Sequence, residues 1–238
     1  MNSEKPSDPL KPIYRDSLID IPRRGKDLRS HHTALLCIDM QYLDAAEGHG
    51  LFSDYENSPI SMEEMDYYFS RLKEVVLPNV HNLQNCFRAH GLEVIHVRIQ
   101  SLTKDGRDRS KGHQRLELHA APGSGDACFL EEVAPVGDEI IINKTASGVF
   151  SSTNLHYVLN NMGISSLYVV GVYTNECVET TIRDACDLGY LVTMIDDGCA
   201  TVTPELQSAT VRNLKDRYAK VISTEQALGE VERELDDG

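Results

Sequence analysis

The chain has 238 residues, 41% hydrophobic and 25% charged. That is enough apolar material for one sizeable core and little for two, so a single domain over 1–238 is expected, with its core at about 31–223. Thirty-seven acids against 23 bases give a net charge of −14, which argues against nucleic acid or an anionic membrane as a partner.

Residues 1–30 are polar, proline-dotted and mixed in charge, and read as a surface arm or short helix outside the core. The opening MNSEKPSDPL lacks the basic-then-apolar pattern of a secretory signal, and no apolar run approaches the roughly 18 to 20 residues of a membrane span. A cytoplasmic protein is therefore expected. The first strand is expected at Thr33–Ile38. Ser61 with Glu64 forms a capping box for a helix that Pro78 should kink or split and Gly91 should stop. A second strand follows at Leu92–Ile99.

The next stretch, Gln100 to Asp138, has few periodic apolar residues. Its part from Lys104 to Arg115 holds five bases against two acids, and it reads either as a solvated loop or as a wall of the site. Further strands are expected at Glu139–Ile142, Leu167–Val172, Tyr190–Ile195 and Ala219–Ile222. Gly163 and Gly189 close the intervening helices, and Thr203-Pro204 opens the last of them. The acidic end, TEQALGEVERELDDG, reads as a tail or short terminal helix. Short, nearly continuous apolar strands alternating with helices predict an α/β protein, a three-layer α-β-α sandwich around a mostly parallel six-stranded Rossmann-like sheet.

In such sheets ligands bind beyond the carboxyl ends of the strands. Three residues there bear chemistry: Asp39 after the first strand, Lys144 after the third and Cys177 after the fourth. Taken singly, each has an ordinary reading as a turn acceptor, a solvated lysine and a small core thiol. Taken together, an acid, a base and a thiol at equivalent strand ends should converge. A free thiol has a pKa of about 8.5, and an ammonium and a helix N-terminus would favour the thiolate. Asp39 would then move the proton to a departing amine. The six cysteines never form a CxxC pair, which argues against a zinc ribbon or disulfide framework, and Cys186 and Cys199 read as structural.

The segments LLCIDMQ, INKTASGVFSSTNL and VVGVYTNECVETTIRDACDLGY resemble, in order, the three motif blocks of the isochorismatase-like cysteine hydrolase superfamily. The resemblance implies the fold above and a catalytic triad of Asp39, Lys144 and Cys177. It also implies a cis Val172–Tyr173 peptide, with the amides of Tyr173 and Cys177 as an oxyanion hole, and a dimeric or tetrameric homo-oligomer. Around the nucleophile, Tyr173 to Glu179 is similar to the ureidoacrylate, biuret and triuret branch, and Gln114-Arg115 resembles a substrate-binding segment of ureido-substrate members. The nicotinamidase-like Asp-x-His metal cluster has no counterpart in His96-Val97-Arg98-Ile99, so no metal is expected, and His96 reads as a satisfied strand-end histidine. His113 and His119, six apart, make a poor zinc pair. Gly48-His49-Gly50 is no dinucleotide fingerprint and no Walker loop is present, so no cofactor is expected.

The expected activity is hydrolysis of a C–N bond in a small linear carbamoyl or ureido amide, releasing ammonia or amine. A nicotinamidase-like hydrolase of aromatic amides and a non-catalytic binding module remain as alternatives.

Overall fold

The computed structural model describes residues 8–18 and 21–236. Six strands, β1 Thr33–Ile38, β2 Glu93–Ile99, β3 Ile140–Lys144, β4 Ser166–Val172, β5 Leu191–Ala200 and β6 Lys220–Ile222, form one sheet in the order β3-β2-β1-β4-β5-β6. Every neighbouring pair is parallel. Alternate side chains of β1 feed two separate cores. Leu35 and Cys37 pack with Tyr68, Val76, Leu83 and Phe87, whereas Ala34, Leu36 and Ile38 pack with Leu155, Leu159, Ile182 and Leu214. Burial on both faces is why the central strands β1 and β4 are almost entirely apolar, and it gives the expected three-layer sandwich. No helix among the described residues is long and apolar enough to cross a membrane.

The strands start and end within two residues of expectation except β5, expected to stop at Ile195. It continues through Asp196, Asp197 and Gly198 to Ala200 because those acids are used as acceptors. Gln207 donates to Asp196, and the amide and hydroxyl of Thr224 donate to Asp197. The ends of the chain also differ from a surface reading. Leu28, from the helix Ile21–Arg29, and Ala227 and Val231, from the helix Thr224–Leu235, are core residues. The residues numbered 1–7, 19–20 and 237–238 lie outside the described part of the chain.

The capping box at Ser61 and Glu64 forms, as does the Thr203 cap on Leu206. The helix is split at Pro78 as expected, into α-helices Met62–Arg71 and Leu77–Ala89. A π-helical turn at Leu72–Val76 lies between them, and the α-helix Leu77–Ala89 starts with Pro78 in its first turn, where a missing N–H costs little.

Glu139, just before β3, is held by Arg88 (2.7 and 3.0 Å), the amide of Val136 (2.9 Å) and His96 (2.9 Å). His96 is thus a satisfied structural histidine at that nitrogen. Burial alone would raise the Glu139 pKa, but these partners bring it down to about 2. Since the folded value lies below the unfolded one, this stabilisation is complete above the ordinary glutamate range and is lost as pH falls toward 2. Glu139→Gln should lower the urea midpoint at neutral pH and flatten the acid limb of stability. An acid limb identical to wild type would contradict the assignment.

Gly171 lies where β4 runs closest to β1. Its φ is 125°, and a Cβ there would sit 2.0 Å from the carbonyl oxygen of Ile38. Gly171→Ala should cost about 3 kcal/mol or more and displace the turn carrying Cys177. A melting temperature unchanged from wild type would refute this.

Candidate active site

The strand order reverses between β1 and β4, the position at which an open α/β sheet leaves a crevice beyond its strand ends. Asp39 follows β1 directly. It adopts a left-handed backbone conformation, φ 53°, which aspartate tolerates better than most residues, and its amide donates to Val97 O (2.9 Å). Cys177 lies beyond β4 in a π-helical turn, Thr174–Val178, that runs on into the helix Glu179–Asp187. The Val172–Tyr173 peptide that opens this turn is cis. Lys144 ends β3, opposite Ile99 in the register, and reaches across β2.

The three side chains meet. Lys144 Nζ is 2.9 Å from Asp39 Oδ2, 3.2 Å from Cys177 Sγ and 3.0 Å from the carbonyl of Ala146. Two of its N–H donors bond Cys177 and Ala146, and the third contact is an ion pair with Asp39, whose two carboxyl oxygens lack a hydrogen-bond partner. The site is almost closed, with Lys144 and Asp39 at 0% exposure and Cys177 at 5%. Burial works against the Lys144 charge, yet Asp39 and Cys177 hold its pKa above the ordinary value. Burial raises the Asp39 pKa, and Lys144 offsets only part of the rise.

The cysteine differs from expectation. Burial pushes its pKa well above the thiol range, Lys144 pulls it down, and Asp39 and Asp44 push it up again. Burial and the two acids thus favour the protonated sulfur, against the thiolate that Lys144 and a helix end were expected to favour. Asp39, itself shifted upward, is joined to that sulfur through the same ammonium.

The segment after β1 is clamped from beneath. Gln41, fully buried, donates to the carbonyls of Ile99 and Asp126 and accepts from the amide of Ile99. Tyr42 N bonds Cys128 O, and Leu130 N bonds Met40 O. This buries Asp44, which is 2% exposed with Oδ2 lacking a hydrogen-bond partner. Tyr68 donates to the Asp44 carbonyl (2.7 Å) and packs against Tyr173, ring centroids 5.3 Å apart. Phe52 completes this aromatic wall.

The basic loop folds largely on itself. Arg109 binds the carbonyls of Gly106 and Leu118, and Asp108 holds Leu102 and Thr103. It is tied to the site by Ser110 N to Thr145 O (2.8 Å). Gln114 and Arg115 are not brought to the triad. Gln114 is engaged by Arg109 O and Lys111, and Arg115 is exposed. The neighbour that does face inward is His113, 2% exposed, with an unpartnered Nδ1. Burial, then Lys144 and Arg109, lower its pKa to about 4, so it is neutral near pH 7. Asp44, His113 and Tyr68 were thus missed by sequence reasoning. Among the described residues no group of three His, Cys, Asp or Glu side chains is placed to hold a metal ion. Cys37 and Cys199 are buried thiols in β1 and β5, pushed upward by burial, and Cys186 is half-buried on its helix.

Comparison with known proteins agrees with this geometry. The Isochorismatase domain family matches residues 33–226. A ureidoacrylate amidohydrolase of Rhizobium rhizogenes is 27% identical over 223 residues, 86% of each chain. An uncharacterised isochorismatase family protein of Bacillus subtilis is 32% identical over 161 residues, 66% of this chain and 83% of the relative. Among solved structures, a cysteine hydrolase from Pseudomonas syringae superposes with a TM-score of 0.70 at 23% identity, over 86% of this chain and 94% of the other. The family match spans most of the chain and all six strands, and it includes Asp39, Lys144 and Cys177, so the chain belongs to the isochorismatase family of hydrolases.

Proposed function

We propose that the protein is a metal-independent cysteine amidohydrolase that cleaves a C–N bond in a small linear carbamoyl or ureido amide. The observation that carries this reading is the closed Asp39–Lys144–Cys177 cluster, in which one ammonium touches both a carboxylate and a thiol. Similarity to ureidoacrylate amidohydrolases supports the substrate class.

Asp39 takes the Cys177 proton as sulfur attacks the carbonyl carbon. The carbonyl oxygen becomes an oxyanion and is met by the amides of Tyr173 and Cys177, each such donor being worth about 3 to 4 kcal/mol in the transition state. Protonated Asp39 then gives its proton to the departing nitrogen as the C–N bond breaks, leaving a thioester on Cys177. Water, deprotonated by Asp39, attacks the thioester, and the proton returns to sulfur as the acid departs. Lys144 keeps its charge throughout and holds the other two side chains in register.

The test is ammonia release against biuret, triuret, ureidoacrylate, N-carbamoyl amino acids and nicotinamide, with and without a chelator. Release from a linear ureido compound, unchanged by the chelator, is expected. The absence of an Asp-x-His pair on β2 and the commitment of His96 to Glu139 motivate the chelator arm. Preference for nicotinamide, or activity lost to chelation and restored by zinc, would overturn the proposal.

A further inference from the structure

Asp44 is a costly residue for the fold to keep. A buried polar atom without a partner costs about 1 to 3 kcal/mol, and a leucine of similar size would occupy the position without that penalty. The Tyr68 hydroxyl is close by but donates to the Asp44 main chain and leaves the carboxyl unsatisfied. The Tyr173 hydroxyl is also unpartnered. Asp44 belongs to the aromatic wall of the site: its carbonyl accepts from Tyr68, whose ring packs on Tyr173, the residue that opens the turn carrying Cys177.

The charges around this point are unbalanced. Two carboxyls and a thiol surround one ammonium, which donates to Cys177 and Ala146 O and pairs with Asp39 at 2.9 Å. Of the basic side chains of the adjoining strand and loop, Arg98 donates to Asn143 and the carbonyl of Ala127, and Arg109 donates to the carbonyls of Gly106 and Leu118. Burial and the nearby Asp39 push the Asp44 pKa well above the carboxylate range. A guest with N–H groups would satisfy the orphaned oxygen. A guest with a carboxylate at this point would bring a further charge into a closed site whose ammonium already faces Asp39 and Cys177.

We propose that Asp44 is a specificity-determining residue whose carboxyl receives N–H groups at the uncleaved end of the substrate, selecting uncharged ureido or carbamoyl amides over amides that carry a carboxylate there. The inference rests on Cys177 as the reacting centre and narrows the amidohydrolase reading to the uncharged members of its class.

Two reagents of nearly equal size test it without requiring turnover. Iodoacetamide is uncharged and carries N–H groups, and iodoacetate carries a carboxylate; both alkylate a thiolate with loss of iodide. Rates at Cys177 would be measured by peptide mass spectrometry and normalised to the exposed Cys128 of the same molecules. The normalised preference of Cys177 for iodoacetamide over iodoacetate is expected to be about tenfold or more in wild type, and to fall by about tenfold in Asp44→Asn. In the hydrolysis assay, Asp44→Leu should lower kcat/KM for biuret by about a hundredfold, mainly through KM, while ureidoacrylate gains relative to biuret.

No preference at Cys177 in wild type overturns the proposal without reference to any variant, so a variant that fails to fold does not protect it. An undiminished preference in Asp44→Asn, equal loss on both substrates, or no alkylation of Cys177 by either reagent does so as well. Selective, Asp44-dependent alkylation without ammonia release from any amide would instead retire the hydrolytic reading and leave the recognition role standing.

Discussion

Replacing Cys177 by alanine will lower ammonia release by about 10⁴-fold or more while the protein remains folded. In the proposed mechanism the sulfur forms the covalent bond, and no other described thiol contacts Lys144. Cys37 and Cys199 are deep in the two cores, so neither substitutes for it. Serine keeps an acceptor for the N–H that Lys144 donates to position 177, whereas alanine leaves that donor unpaired in a buried site. Cys177→Ser should therefore be the more stable of the two variants by about 1 kcal/mol and nearly as inactive, because a hydroxyl is far harder to deprotonate than a thiol. Circular dichroism and thermal melts measured beside the rates separate loss of chemistry from loss of fold. Alanine activity near that of wild type would end the covalent mechanism.

The parts of the site that were legible in the sequence are those that a parallel sheet places by itself. β1 and β4 are almost entirely apolar, so their ends were visible, and the strand order brings those ends together without further information. What lay outside reach depended on contacts distant in sequence. Asp196 and Asp197 interrupted the apolar pattern of β5, although their carboxylates serve as acceptors for residues of two helices. The charge pattern marked the loop around 104–115 but not the inward face of its five-residue helix Lys111–Arg115. Successive helical positions differ in direction by about 100°, so attention to Gln114 and Arg115 missed His113. Asp44 drew no reading at all, because nothing in its own segment shows that residues 128–130 close over it.

Lys144→Met will remove the only ammonium in a cluster of buried acids, and its effect on stability should rival its effect on rate. In wild type Asp39 is buried at 0% exposure and is balanced by Lys144 at 2.9 Å. Breaking a buried pair by deleting one partner typically costs about 3 to 5 kcal/mol, since the remaining charge has no water to return to. Without Lys144 the largest influence left on the Asp39 carboxyl is burial, which raises its pKa against the smaller lowering contacts of Cys177 and the Ile99 amide. A group whose folded pKa lies above its unfolded value stabilises fully below the unfolded value and loses that contribution as pH rises. The deficit of Lys144→Met should therefore be smallest at about pH 4 and deepen toward neutrality, the reverse of the acid sensitivity expected at Glu139. Adding Asp39→Asn should restore much of the stability at neutral pH, because the uncompensated charge is gone, and none of the activity, because the base is gone with it. Activity of the single variant should fall by about 10³-fold or more. Urea midpoints at acid and neutral pH for the wild type, both single variants and the double variant form the cycle that checks this. Additive losses with no rescue in the double variant would show that Lys144 stabilises the site by some route other than its pairing with Asp39.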